Sequence, residues 1–141
     1  MQRTVERMLR THPERPFAPA DPLSACIHAC VECAQTCTAC ADACVTELDR
    51  HLGHCIRINL DCADLCTTAS RVLSRQLAPD LALVHMTLQL CEAACDACAD
   101  ECSRHAVTHA HCDVCAAACR RCATACRALL AITAEAQRYH H

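Results

Sequence analysis

Cysteines recur along this chain at alternating steps of three and four, and that spacing leaves little choice but helix. Cys26, Cys30, Cys33, Cys37, Cys40 and Cys44 are separated by 4, 3, 4, 3 and 4 residues. At about 100° per residue, these side chains stay within about 80° of arc over about 27 Å of helix axis. The pattern returns in Cys55, Cys62 and Cys66, where Asn59 stands on the seam in place of another cysteine. It returns again in Cys91, Cys95, Cys98 and Cys102, and in Cys112, Cys115, Cys119, Cys122 and Cys126. Cysteine-dense secreted scaffolds are loop-rich, but here Gly53 is the one glycine and the prolines stand only at positions 13, 16, 19, 22 and 79. The Ala- and Leu-rich stretches between these breakers read as helix.

The breakers divide the chain. Residues 1–20 hold a short amphipathic turn over Thr4–Arg10 and a Pro-punctuated linker from His12 to Pro19. Asp21-Pro22 reads as an N-cap followed by proline at the first helical position. The first long helix is expected to run to about Thr46, and the second from about Asp49 to Gln76. Ala78-Pro79-Asp80 breaks the chain before a third, ending near Arg104. Thr108 is placed to cap a fourth, which runs to about Gln137. Seams of a/d spacing face a bundle interior. The predicted fold is therefore all-α, an antiparallel four-helix bundle over 21–137 with a cysteine-lined core, followed by a short tail at 138–141. Composition agrees, because a chain with 18 cysteines, one Phe, one Tyr and no Trp cannot build its interior from aromatics.

Charge and hydropathy exclude some partners. With 13 basic against 16 acidic residues and a net charge of −3, there is no cationic footprint for nucleic acid. No run approaches the roughly 20 apolar residues that cross a bilayer, so no membrane partner is expected. The first 22 residues show no apolar leader, which points to the cytoplasm.

Eighteen thiols on four inward seams ask for a chemical reason, since Ala, Val and Leu would pack as well without oxidising. Thiolates select Cu(I), Zn(II) and iron–sulfur clusters. Zinc at four sulfurs per ion would leave about ten buried negative charges. One Cu(I) per thiolate leaves a neutral interior, and a continuous ladder of i, i+3 and i+4 neighbours suits bridging thiolates. The C-x2-C-x2-C run of iron–sulfur ligation is missing. Copper(I) is the expected ligand, on all eighteen cysteines. Alternatives are a zinc or heavy-metal buffer of metallothionein type, a thiol redox protein working through cross-helix disulfides, and an iron–sulfur carrier.

The two ends of the tube differ. Leu23, Leu73, Val84, Leu88, Leu129 and Leu130 close one end. Cys44, Cys55, Cys102 and Cys112 reach the other, with His51, His54, His105, His109 and His111 beyond them. Metal is expected to pass at this histidine end, with His51, His105 and His109 nearest the seams by helical angle. His28 and Met86 point away from their seams, His140 and His141 fall in the tail, and Asn59 is read as a polar gap-filler. Ile56, Leu60, Met86 and Leu90 sit off the core face and suggest subunit contacts. No Gly-rich phosphate loop or catalytic triad is present, and no enzymatic activity is expected.

The segments CIHACVECAQTCTACADAC, HCIRINLDCADLC, LCEAACDACADECSRH and HCDVCAAACRRCATAC together resemble the cytosolic branch of the bacterial copper storage proteins. The resemblance covers about residues 21–137. It implies a four-helix bundle holding many Cu(I) ions on inward cysteines, histidines near an open end, and a homotetramer. Small thiols or copper chaperones are the expected loading and unloading partners.

Overall fold

The described residues are mostly helical. The computed structural model describes residues 2–138, with side chains from 3 to 134, and has no strand among them. Its helices are α1 (Gln2–Thr11), α2 (Ala20–Glu47), α3 (Gly53–Ser74), α4 (Leu81–His105) and α5 (Ala110–Arg138), with a 3-10 turn at Arg50–Leu52. The sequence suggests four long helices and a short amphipathic turn over Thr4–Arg10, and the structure has five helices among the described residues, the short one extending over Gln2–Thr11. Helix α1 is too short to be stable alone and is held by packing on α2. Leu9 and Ala18 enter the same apolar cluster as Leu23 and Ile27. The linker is pinned as well: the Phe17 amide donates to Oε1 of buried Gln76 at 3.1 Å, and the Gln76 amide donates to the Leu73 carbonyl at 2.7 Å.

Helix boundaries differ from expectation in ways that local chemistry explains. Helix α2 begins at Ala20 with Pro19 before it, so Asp21 and Pro22 lie inside the first turn rather than capping it. Proline lacks the N–H that a first turn leaves unpaired, and an acidic side chain suits the helix N-terminus. At the other end Leu48 takes a left-handed conformation with φ 54°, and Asp49 caps the 3-10 turn through the His51 amide. Helix α3 stops at Ser74, ahead of Ala78 (φ 47°) and Pro79. Asp80 then caps α4 by accepting from the Ala82 and Leu83 amides. Thr108 does not cap the last helix. Its hydroxyl turns back to the His105 carbonyl at 3.3 Å, and α5 starts two residues later at Ala110.

Helix α2 packs on α3 and α5, and α4 packs on the same two, so the long helices close a ring with α1 on its flank. Sulfur pairs give their directions. Cys26 meets Cys126 at 3.9 Å and Cys44 meets Cys112 at 3.9 Å, so α2 and α5 run in opposite senses. Cys55–Cys102 at 3.6 Å and Cys66–Cys91 at 3.7 Å give the same relation for α3 and α4. Beyond Cys26 and Cys126, buried Leu23, Leu73, Val84, Leu88 and Leu129 fill one end, with Leu130 half-buried beside them. Arg121–Glu32 at 2.7 Å and Arg127–Glu92 at 2.9 Å tie α5 to its neighbours on the solvent side.

Two expectations about outward residues change. By length and composition α4 is apolar enough to cross a membrane, contrary to the sequence reading. Much of that character is its cysteine seam with Val84 and Leu88, which face the ring. Leu60, Met86 and Leu90 are exposed as anticipated, but Ile56 is half-buried against the core.

Candidate metal centre

All 18 cysteines are free and buried. Their sulfurs form an almost continuous network with neighbours at 3.6–4.0 Å. A metal–sulfur bond of about 2.3 Å puts two sulfurs about 4 Å apart around a trigonal ion, so the fold has already set the spacing that bridged metal ions require. Four-sulfur sets whose atoms lie within 4.8 Å of one another overlap along the axis. Cys30, Cys91, Cys122 and Cys126 form one near the leucine end. In the middle, Cys33, Cys37, Cys62 and Cys119 share members with Cys33, Cys62, Cys66 and Cys95, and with Cys37, Cys98, Cys115 and Cys119. Cys33, Cys37, Cys62 and Cys119 therefore each serve two of these sets.

Asn59 is fully buried among these thiols and uses both ends of its amide. Its Nδ2 donates to the Cys55 carbonyl at 2.7 Å and faces Cys55 Sγ at 3.3 Å. Its Oδ1 accepts from Cys115 at 2.9 Å and Cys98 at 3.3 Å. The residue that interrupts the α3 seam thus organises the metal-free thiols around it. Asn59→Ala removes the acceptor of two buried thiols and leaves a cavity. The metal-free protein is expected to lose about 2–3 kcal/mol in denaturant unfolding under reductant; unchanged stability would show that the thiols rearrange freely.

The protonation of the sulfurs follows from burial and from their neighbours. Burial, helped by the nearby Cys44, pushes the Cys112 thiol up to about 12. Hydrogen bonds from the Cys126 and Cys30 thiols hold Cys26 down at about 5 and Cys122 at about 7.

At the open end the structure selects among the histidines. His111 Nδ1 lies 3.5 Å from Cys40 Sγ, 3.6 Å from Cys112 Sγ and 3.9 Å from Cys44 Sγ, completing a mixed set. Of the three histidines singled out from helical angle, His51 is exposed and pairs with Asp49 at 3.1 Å. His105 is engaged by buried Glu101 at 3.2 Å. His109 has Glu47 at 3.5 Å from Nδ1 and Asp49 at 3.8 Å from Nε2. His109 precedes α5, so no helical angle applies to it. His111 lies one i, i+4 step before Cys115, about 40° away on the same face. That step was the signal that identifies it. His28 pairs with Glu32 at 3.5 Å, and His140 and His141 lie outside the described residues.

A family model described as copper storage protein, Csp, matches residues 20–131. This chain belongs to the copper storage protein family. That family is one of storage proteins rather than enzymes, and its solved structures resemble this one closely. The copper storage protein Ccsp from Streptomyces lividans, loaded with 10 copper equivalents, is 46% identical with a TM-score of 0.87, covering 91% of this chain and 98% of its own. A structure of a cytosolic copper storage protein from the same organism, with five coppers, is 49% identical with a TM-score of 0.75, covering 79% and 93%. The Cu(I)-bound copper storage protein BsCsp3 of Bacillus is 36% identical with a TM-score of 0.68, covering 77% and 97%. The match to the family model begins at Ala20, so α1 lies outside it.

Proposed function

We infer that this protein takes up and stores Cu(I) on the thiolates of its interior, with a capacity on the order of one ion per cysteine. The observation that carries this reading is the overlap of the four-sulfur sets. Separate zinc sites each need their own four ligands and would leave buried negative charge. Shared sulfurs suit a monovalent ion of low coordination number that bridges and neutralises them. The 18 cysteines are the proposed ligands, joined at the open end by His111. His51, His105 and His109 are proposed as outer groups of that port, held by carboxylates.

The closed ring of long helices supports an antiparallel four-helix bundle over 21–137, with residues 1–20 as a flanking segment and 138–141 as a tail. Exposed Leu60, Met86 and Leu90 suit burial between copies, as in a homotetramer. The cytosolic Streptomyces relative supports a cytoplasmic location. Small thiols or copper chaperones are the proposed exchange partners. The protein catalyses nothing in this reading.

The test is an oxygen-free titration against a competing Cu(I) chelator, with zinc in parallel. Saturation near one copper per thiol is expected. Saturation near four zinc ions with weak copper binding would replace storage of copper by zinc buffering.

A further inference from the structure

The seam of α2 does not end at Cys44. Its alternation of three and four continues one step further, to Glu47, the last residue of the helix. The position where another thiol would stand therefore holds a carboxylate, one turn beyond Cys44 on the same face. Glu47 Oε1 lies 3.3 Å from His111 Nε2, while His111 Nδ1 faces Cys40, Cys44 and Cys112.

We propose that Glu47 is the positioning residue of the metal port: it holds the His111 proton on Nε2, so that the Nδ1 lone pair points at the three sulfurs. The inference rests on the soft-metal reading of the site and adds the group that orients its one nitrogen ligand. A neutral imidazole carries one N–H and one lone pair, and the partner of one nitrogen decides which is which. A carboxylate accepts and cannot donate, so Nε2 facing Glu47 is the donor. The thiols on the other side can donate to Nδ1, so both sides of the ring favour the same tautomer. Carboxylates behind metal-binding histidines act in this way generally, fixing ring orientation and raising basicity.

The neighbouring rings show why the port falls to His111. His109 is turned toward carboxylates on both sides, with Glu47 Oε1 3.5 Å from Nδ1 and Asp49 Oδ2 3.8 Å from Nε2. His105 Nε2 also faces a carboxylate, Glu101, which holds Arg104 at 3.2 Å, but the sulfur contacts at the port are made by His111 Nδ1. Glu47 thus serves two rings, clamping His109 with Asp49 and leaving His111 with one nitrogen turned inward. The ring centroids of His109 and His111 are 5.6 Å apart, so one carboxylate reaches both.

The experiment compares Glu47→Ala, Glu47→Gln, His111→Ala and the Glu47→Ala/His111→Ala pair in the full chain. The readouts are ring-nitrogen NMR shifts of His111 in the metal-free protein, the initial rate of Cu(I) uptake from a chelator complex, and the final capacity. Glu47→Ala is expected to mix the tautomers and slow uptake about tenfold or more, with capacity retained. Glu47→Gln keeps an acceptor oxygen and should recover most of the rate. In the His111→Ala background, Glu47→Ala should slow nothing further. A Gln variant as slow as the Ala variant would show that Glu47 acts by charge attraction and overturn the proposal. So would an unchanged tautomer, or equal slowing without His111. Failure of the unaltered protein to take up Cu(I) would overturn the storage reading instead, and the NMR shifts would still decide the role of Glu47.

Discussion

Filled with Cu(I), the protein will unfold at least about 20 °C above its metal-free form. Each site held at a free ligand concentration 1,000 times its Kd contributes about 4 kcal/mol, so two such sites contribute about 8 kcal/mol. At about 3 °C per kcal/mol for a chain of this length, that shift exceeds 20 °C. The sulfur sets provide for several sites. Thiols of the unfolded chain also bind copper and reduce the gain, but they are not gathered in advance at spacings near 4 Å. Circular dichroism melts of both forms without oxygen make the comparison. Equal melting temperatures would mean that the fold contributes nothing to holding the metal.

Copper affinity will fall steeply as the solution is acidified. Metal binds the thiolate, so every thiol that carries a proton must release it first. Cys112, near 12, is protonated throughout the neutral range, and each copper that displaces such a proton binds about tenfold more weakly per unit drop in pH. Cys122 and Cys26 begin to add their own protons only as pH falls through about 7 and about 5. The loss therefore steepens on the acid side. From pH 7.5 to 5.5, a site displacing one proton should weaken about 100-fold, as read against a chelator of known proton affinity. A flat profile would mean that the interior is fully ionised before metal arrives, which its burial opposes. Proton release on loading at constant pH gives an independent count.

Much of this architecture is legible in the sequence because cysteine does two jobs at once. Its spacing reports the helical period, and its chemistry marks the inner face, so the four long helices and their seams could be read together. Other parts could not. Helix α1 showed only as a short amphipathic turn over Thr4–Arg10, and its full span over Gln2–Thr11 and its packing on α2 had no local signature. Thr108 has the residue type of an N-cap, but the chain turns so that its hydroxyl reaches back to His105. Among the histidines, helical angle carries information only inside a helix. It applied to His111, lost meaning at His109, and could not reveal that Glu101 would take His105 or Asp49 would take His51. The role of Asn59 lay between, since its seam position was visible and its two-sided hydrogen bonding was not.

The leucines packed across one end of the ring have a consequence for the order of traffic. A vessel with a single mouth fills from the bottom when its occupants can hop between shared rungs, and empties from the top. Copper held beside the leucines then leaves only past the rungs nearer the mouth.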